Sequence, residues 1–258
     1  MSHHKIEARG LEYVYPDGHK AVHDISFLIG HGESVGIIGA NGAGKSTLLM
    51  LLMGVIMPTA GEVLVGDVAV TKKTLPQIRQ RLGMVLQNPD DQLFMTTVYE
   101  DVAFGPRNYH YAEPEVETRA LEALRTVGIE HLKDRAPYKL SGGEKRSAAI
   151  ASVLSMQPDV LILDEPTSAL DPRARRRVMG MLKEFSHTKI IASHDIDMIY
   201  EICGRTIVLQ DGCVRADGKT SEIVCDAALM DLSGLEIPLM FQNCGRRETE
   251  VSNESCGD

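Results

Sequence analysis

The sequence predicts an α/β fold with a parallel sheet core, an antiparallel β subdomain and a helical subdomain. Short β-like runs separated by turn residues fill the first third of the chain, helical patterns fill roughly residues 97–157, and three apolar runs follow. With 258 residues and 43% hydrophobic composition, the chain can bury a full core. These features are typical of one large globular domain, alone or with subdomains.

The first third is predicted to form an antiparallel sheet that leads into a buried strand. Candidate strands cover residues 11–15 and 22–29 around a Pro-Asp-Gly turn, and residues 34–39 form the buried strand. After Gly39 the pattern changes to a helix over residues 45–53. Short strands are expected again between residues 62 and 86.

The segment between this strand and this helix matches a phosphate-binding loop, G-x-x-x-x-G-K-[ST]. Its glycines let backbone N–H groups point at a β-phosphate, and the following helix offers its positive N-terminal end. Lys45 is expected to reach the β and γ phosphates of ATP, and Ser46 to bind Mg²⁺. Strand, loop and helix together predict a P-loop NTPase with a RecA-like core. The predicted nucleotide-binding residues of the loop are Gly39, Ala40, Asn41, Gly42, Ala43, Gly44, Lys45, Ser46 and Thr47.

A pair of acids, Asp164 and Glu165, ends the apolar run at residues 160–163. A carboxylate in that place suits water bound to Mg²⁺, and the next one can orient and deprotonate an attacking water. Asp164 is therefore assigned to the metal and Glu165 to the general base. Acids also end strands simply because the chain reaches solvent there. The functional interpretation of this pair therefore depends on the phosphate-binding loop.

Two short motifs and three single residues resemble those of the ABC ATPases, and they occur along the chain in the order found in that family. Residues 140–144, LSGGE, resemble the family's LSGGQ signature, and residues 168–171, SALD, resemble its D-loop. Gln87 matches the Q-loop glutamine, His194 the switch histidine, and Tyr15 the aromatic residue that stacks on adenine. The chain is identified on these motifs as a member of the ABC ATPase family.

The resemblance implies a partner, a second ABC ATPase subunit that is identical or paralogous. Two subunits facing head to tail would enclose two ATP molecules, each site using Lys45 of one chain and Ser141, Gly142 and Gly143 of the other. The same three residues also have a structural interpretation, with Ser141 as a helix N-cap and the glycines in a tight turn. The two interpretations are compatible, because a helix N-terminus suits a γ-phosphate.

The resemblance also assigns the remaining site residues. It implies that Gln87 contributes to the Mg²⁺ site, and that the His194 imidazole bonds the γ-phosphate and holds Glu165 and water in line. Tyr15 is favoured over Tyr13 as the residue that stacks on adenine, and one of the two tyrosines is expected to pack inside the protein.

Residues 87–94 and 97–106 resemble the ATPases of energy-coupling-factor importers, which move cobalt, nickel or vitamins. Residues 193–198 and 234–239 favour the cobalt and nickel subgroup. The implied partners are a transmembrane coupling protein and a substrate-capture membrane protein, with the chain peripheral at the cytoplasmic face of the cell membrane. Leu93 and Phe94 are candidates for contact with a coupling helix, or alternatively for packing inside the helical insertion.

Other functions are less consistent with the sequence. A net charge of −9 argues against nucleic acid as a main partner. A soluble ABC protein of DNA repair or translation is also disfavoured, because such proteins usually have two nucleotide domains or a long coiled coil. A regulator without turnover would not need both Glu165 and His194. The ATPase of a vitamin importer stays open as an alternative.

The predicted ABC ATPase domain spans residues 1–241, with the helical subdomain at about 88–158, and the polar residues 242–258 are expected to be disordered. No stretch approaches the roughly 18 apolar residues of a membrane span, so membrane association is expected through a partner. Two departures from the family are Glu144 for glutamine, which alters charge beside the nucleotide, and Ser147-Ala148 for Arg-Val. The five cysteines lack C-x-x-C spacing and are interpreted as reduced thiols of a cytosolic protein: Cys203, Cys213, Cys225, Cys244 and Cys256.

Overall fold

The computed structural model describes residues 5–238 and residue 241. Within them the strands are β1 (Ile6–Val14), β2 (Lys20–Ile29), β3 (Ser34–Ile38), β4 (Ala60–Val65), β5 (Val68–Ala69), β6 (Leu82–Val85), β7 (Val160–Asp164), β8 (Thr188–Ala192), β9 (Arg205–Gln210) and β10 (Cys213–Lys219). The helices are α1 (Lys45–Leu52), α2 (Leu75–Arg79), α3 (Val98–Asn108), α4 (Glu113–Thr126), α5 (Gly142–Leu154), α6 (Pro172–Glu184), α7 (Ile196–Ile202), α8 (Thr220–Ile223) and α9 (Ala227–Leu232). Short 3₁₀ turns cover Pro89–Asp91, Glu130–Leu132 and Pro137–Lys139.

The core is a six-stranded sheet with the order β10-β9-β3-β8-β7-β6. Strand β3 is parallel to both β8 and β9, and β7 is parallel to both β6 and β8. Along β7, Leu161 and Leu163 pack into one hydrophobic cluster, whereas Val160 and Ile162 pack into the other. Both faces of the strand are therefore covered, which confirms the prediction of parallel strands from uninterrupted apolar runs.

A separate four-stranded antiparallel sheet has the order β2-β1-β4-β5, as expected for the first third of the chain. The prediction of short strands between residues 62 and 86 missed one helix, because α2 lies between β5 and β6. This helix has five residues, with a proline in its first turn and Ile78 buried. One turn is too short to show a helical period in the sequence.

Helices fill the connection between β6 and β7. One face of α4 is apolar, and its residues Val116, Ala120 and Leu124, with the adjoining Val127, are all buried. This face packs into the cluster that also contains residues of α3, α5 and the parallel sheet. The helical insertion thus shares one continuous core with the sheet instead of standing apart from it.

Two boundaries of these elements are explained by their local chemistry. Asp171 caps α6 by accepting from the N–H groups of Arg173 and Ala174, and Pro172 occupies the first helical position. The hairpin between β9 and β10 turns at Asp211 and Gly212, which have φ angles of 50° and 76°. A two-residue hairpin turn of this kind favours positive φ at both positions.

No helix in the described part of the chain has both the length and the apolar character to cross a bilayer. The predicted disordered tail, residues 242–258, lies outside the described residues.

Candidate functional site

The phosphate-binding loop lies between the carboxyl end of β3 and the start of α1. Gly42 and Gly44 have φ angles of 83° and 97°, a region that side chains rarely adopt. A β-carbon on Gly39 would lie 2.3 Å from the carbonyl oxygen of Leu209, so the loop is also held close against β9. Glycine is therefore required both by backbone conformation and by packing.

Lys45, at the first position of α1, has its ammonium folded back over this loop. Its Nζ donates to the carbonyl oxygens of Gly39 at 2.7 Å and Ala40 at 3.1 Å. Burial lowers the pKa of Lys45, and the carboxylates of Glu165 and Asp164 oppose that change. A desolvated cation at the N-terminus of a helix is suited to bind phosphate oxygens.

A cleft of about 300 Å³ opens beside the loop. Besides residues of the loop itself, it is lined by Tyr15, Gln87, Asp164 and Glu165. The two acids lie at the carboxyl end of β7, Gln87 follows β6 and the phosphate-binding loop follows β3, because parallel strands of one sheet direct their carboxyl ends to the same edge. Tyr15 follows β1 of the antiparallel sheet. The structure thus brings the predicted loop, aromatic, glutamine and acids together in one place.

Asp164 is buried in the cleft wall, and its Oδ1 has no hydrogen-bond partner among the described residues. Burial raises its pKa, while a hydrogen bond with the side chain of Ser46 lowers it. A buried carboxylate oxygen without a partner, beside a hydroxyl, suits a hard cation that also binds phosphate oxygens. The arrangement of Asp164 and Ser46 therefore fits Mg²⁺ held together with a nucleotide. Among the described residues, no group of three or more His, Cys, Asp and Glu side chains could hold a metal ion by itself.

Glu165 is fixed at the end of β7 by an unusual backbone and three hydrogen bonds. Its φ angle is 48°, and its N–H donates to the carbonyl oxygen of Ala192 at 2.9 Å. Its Oε2 accepts from the Ser193 hydroxyl at 2.8 Å, and its Oε1 accepts from the His194 backbone N–H at 3.0 Å. The His194 ring makes a further contact with this carboxylate, described next.

The imidazole of His194 lies against this carboxylate, with Nδ1 2.8 Å from Glu165 Oε1. Because a carboxylate only accepts, Nδ1 carries the hydrogen in this contact, and Nε2 points elsewhere. The His194 side chain is 62% exposed, whereas that of Glu165 is 8% exposed. The predicted pair is thus in direct contact, with the acid buried and the histidine open to a ligand.

The tyrosine alternatives are separated by their surroundings. Tyr13 packs against the hydrophobic cluster below the antiparallel sheet. Tyr15 lines the cleft, and its hydroxyl is 3.0 Å from Thr47 Oγ1. His19, which the sequence did not single out, lies nearly parallel to the Tyr15 ring with centroids 6.3 Å apart. The Pro-Asp-Gly turn between these two residues indicates that the chain reverses there, but it does not predict that the two rings stack.

Ser141, Gly142 and Gly143 lie away from the cleft that contains Lys45, at the start of α5. The interpretation of Ser141 as a helix N-cap is confirmed, because its hydroxyl caps α5 and Glu144 completes a reciprocal capping box. The expected tight turn is wrong, because Gly142 and Gly143 are the first two residues of α5. The Glu144 carboxylate accepts from both the N–H and the hydroxyl of Ser141, each at 2.8 Å. The three residues are thus presented at a helix N-terminus outside the phosphate site of the same chain.

Leu93 and Phe94, the two candidates for partner contact, differ in exposure. Leu93 is 8% exposed and belongs to the core, whereas Phe94 is 64% exposed. The Phe94 ring packs edge-on against Phe104, which is also exposed, with centroids 5.0 Å apart. Asp101 shapes this turn by accepting from the N–H groups of Phe94 and Met95.

Comparison with known proteins places these features in a family. The model of the ABC transporter family matches residues 22–168. A putative ABC transporter ATP-binding protein of Geobacter sulfurreducens is 57% identical over 244 residues, covering 95% of this chain and 98% of that protein. The energy-coupling factor transporter ATP-binding protein EcfA of Methanothermobacter thermautotrophicus is 47% identical over 238 residues, covering 90% of this chain and 76% of that protein.

Solved structures agree with the fold. The cbiO1 protein of Clostridium perfringens, described as part of the ABC transporter complex cbiONQ, has a TM-score of 0.77 and 39% identity, covering 91% of this chain and 96% of its own. A dimeric ATP-binding cassette in a post-hydrolysis state with ADP and Pi has a TM-score of 0.76 and 30% identity, covering 83% of this chain and 98% of its own. With a phosphate loop, a buried acid pair and a 57% identical relative matched over 98% of its length, the chain belongs to the ABC transporter family as an ATP-hydrolysing subunit.

Proposed function

We propose that this chain hydrolyses Mg²⁺-ATP in the 300 Å³ cleft to drive an energy-coupling-factor importer of a transition-metal ion, cobalt or nickel. The observation that carries the catalytic part is the position of Glu165, buried and hydrogen-bonded at the wall of the cleft that Lys45 also lines. A fixed carboxylate beside a phosphate-binding cation can accept the proton of an attacking water.

The binding roles follow from the positions of the side chains. Lys45 would exchange its bonds to Gly39 and Ala40 for bonds to phosphate oxygens, while the loop N–H groups hold the β-phosphate. Tyr15, supported by Thr47, would stack on the adenine ring. His194 would keep Glu165 oriented through Nδ1 and present Nε2 towards the γ-phosphate.

Ser46, Gln87 and Asp164 would hold Mg²⁺, which supplies charge neutralisation between the β and γ phosphates when bound. The unpartnered Oδ1 of Asp164 supports this assignment, because a buried anionic oxygen needs a donor or a cation.

The functional unit proposed is a dimer with an identical or paralogous subunit. Ser141, Gly142 and Gly143 start a 13-residue helix but do not line the cleft of their own chain. Their helix N-terminus would complete the site of the partner by binding the γ-phosphate of its ATP. The related dimeric cassette with ADP and Pi supports this arrangement.

The transport partners proposed are a transmembrane coupling protein and a substrate-capture membrane protein, with this chain bound at the cytoplasmic face of the membrane. The exposed pair Phe94 and Phe104 is the surface we assign to a helix of the coupling protein. The metal cargo is supported by the likeness to cbiO1, part of cbiONQ, and by residues 193–198 and 234–239.

Substitution of Glu165 by glutamine tests the catalytic proposal. Glu165→Gln is expected to lower the rate of ATP hydrolysis by about a hundredfold or more, because a general base contributes that much. Binding of Mg²⁺-ATP should persist, and size-exclusion chromatography with ATP should show a trapped dimer. The matched control, Glu184→Gln, makes the same chemical change on an exposed residue at the end of α6 and should behave as the native chain. Near-normal hydrolysis by Glu165→Gln would refute the assignment.

Uptake assays test the cargo. Cells that produce the native chain should accumulate radiolabelled cobalt or nickel, and cells with Glu165→Gln should not. Energy-dependent uptake of a vitamin, without uptake of either metal, would replace the metal by a vitamin and leave the ATPase proposal intact.

A further inference from the structure

Ser193 is the residue between the last position of β8 and the histidine that contacts Glu165. It is completely buried, and its backbone N–H donates to the carbonyl oxygen of Ile37 at 3.1 Å, continuing the parallel pairing of β8 with β3. The position of its side chain is therefore set by the core sheet. A buried hydroxyl in such a place needs hydrogen-bond partners.

Both partners of this hydroxyl are present, and they fix the direction of its hydrogen. The N–H of Asp195 donates to Ser193 Oγ at 3.0 Å, so the oxygen serves there as an acceptor. The single hydroxyl hydrogen is free for Glu165 Oε2, which lies 2.8 Å away and can only accept. The hydroxyl thus donates to the carboxylate.

A second set of bonds holds the turn that supplies this N–H. The carboxylate of Asp195 receives two bonds from Arg175 of α6, at 3.0 and 3.1 Å, and one from the N–H of Met198 at the start of α7. Thr167 adds a bond to the same carboxylate at 3.2 Å. Asp195 is therefore anchored on two helices and on the loop after Glu165.

The two oxygens of Glu165 have different partners. Oε1 faces His194, whose side chain is largely exposed and able to change contacts when a ligand enters. Oε2 faces Ser193, which cannot move without breaking the end of the sheet. While the imidazole engages a phosphate, the Ser193 hydroxyl can still hold Oε2, and the backbone N–H of His194 can still hold Oε1.

We infer that Ser193 is a positioning residue for ATP hydrolysis, which holds the carboxylate of Glu165 in place through the Oε2 hydrogen bond. This inference rests on the proposed role of Glu165 as general base. Ser193 itself faces away from solvent and is not among the residues that line the cleft, so it acts through Glu165 and not on the nucleotide.

The test compares the full-length native chain with Ser193→Ala, Ser193→Thr and Ser155→Ala. Loss of the donor in Ser193→Ala should lower kcat by about tenfold or more, since hydrogen bonds to charged groups have that weight. The KM for ATP should stay within about twofold, because the phosphate-binding groups are untouched. Ser193→Thr keeps a hydroxyl and should recover most of the native kcat.

Ser155→Ala is the matched control, because Ser155 is also a buried serine whose hydroxyl donates, but to the carbonyl oxygen of Val102 in the helical insertion. Its kcat should equal that of the native chain, and thermal unfolding of all variants measures any loss of fold. A kcat of Ser193→Ala within twofold of native, or an equal loss in Ser155→Ala, would overturn the inference. Failure of the base assignment is separate, because it would appear as normal turnover in Glu165→Gln.

Discussion

The guanidinium of Arg146 donates a hydrogen bond to the main-chain oxygen of Gln87, and so joins α5 to the segment that follows β6. A second bond from the same group reaches the carbonyl oxygen of Leu86 at 2.6 Å. Arg146 is buried, and burial lowers its pKa, while the carboxylates of Asp164 and Glu165 oppose that change. One side chain therefore connects the helix that begins with the signature to the backbone of the glutamine, and the charges of the acid pair act on it.

Replacement of Arg146 by methionine should remove the hydrogen bonds that join α5 to the segment after β6. Arg146→Met leaves two carbonyl oxygens without donors, at an expected cost of about 1–3 kcal/mol in the free energy of unfolding. Hydrolysis of ATP should fall about tenfold to a hundredfold, because Gln87 is no longer held in register with the site. Urea unfolding and a steady-state ATPase assay measure the two effects.

The neighbouring lysine provides the control. Lys145 pairs with the exposed carboxylate of Asp90 at 2.6 Å, a surface contact worth at most about 1 kcal/mol. Lys145→Met should therefore change stability and turnover little. If Arg146→Met and Lys145→Met were equally mild, the buried arginine would not connect the parts as described.

The phosphate loop should not tolerate even one added methyl group at Gly39. Gly39→Ala would bring a β-carbon to 2.3 Å from the Leu209 carbonyl oxygen, a backbone atom that can move only with β9. We expect loss of Mg²⁺-ATP binding, and a fall of about 1–3 kcal/mol in the free energy of unfolding from overpacking. Fluorescent nucleotide titration and urea unfolding measure these changes.

Gly180 in α6 serves as the comparison, because a β-carbon there meets nothing within 4 Å. Gly180→Ala removes a glycine from a helix interior and should raise stability by about 0.5–1 kcal/mol without altering nucleotide binding. Normal ATP affinity in Gly39→Ala would show that the loop can move away from β9.

Much of the site could be predicted because its residues carry local signals. The glycines and Lys45 form a contiguous motif, and Glu165 ends an apolar run. Both features can therefore be recognised from the sequence alone. Contact between Glu165 and His194 follows once β7 and β8 are neighbours, since both residues leave the same edge of the sheet.

Other contributors have no such signal. Ser193 is one serine after a strand and Arg146 one arginine in a helix, and their partners lie 28 and about 60 residues away. The sequence could not show that Arg146 spans from α5 to the carbonyl groups after β6, because this depends on how the helical insertion packs. The different surroundings of Tyr13 and Tyr15 likewise could not be predicted, because the contact of Tyr15 with Thr47 depends on the tertiary fold.

The exposed aromatic pair should matter for assembly more than for turnover. Phe94→Ser removes an exposed ring that packs edge-on against Phe104, so the melting temperature and basal ATPase rate should stay near native. Co-purification with the membrane subunits should fall strongly, because buried aromatic anchors dominate interface energies.

Leu93→Ala is the contrasting variant. Leu93 lies in the core, and its truncation should cost about 2–5 kcal/mol of folding stability. If Phe94→Ser co-purified with the membrane subunits at the native level, the proposed docking surface would be wrong.

Chemical labelling should distinguish the cysteines by their surroundings. Cys203 is buried, and desolvation raises its pKa to about 12, although the nearby Lys189 ammonium opposes this. Cys213 and Cys225 are exposed. Only the thiolate attacks iodoacetamide, so at pH 8.5 Cys213 and Cys225 should be alkylated in the native chain, and Cys203 only after denaturation.

The same shift has a consequence for stability at high pH. The unfolded thiol loses its proton near its ordinary pKa of 9.0, whereas the folded one keeps it until about 12. The contribution of Cys203 to stability is therefore complete below pH 9 and is lost progressively as the pH rises towards 12. In Cys203→Ala this part of the pH dependence should be absent from urea unfolding curves.

Peptide mass spectrometry that found Cys203 labelled as fast as Cys213 in the native chain would contradict its buried position.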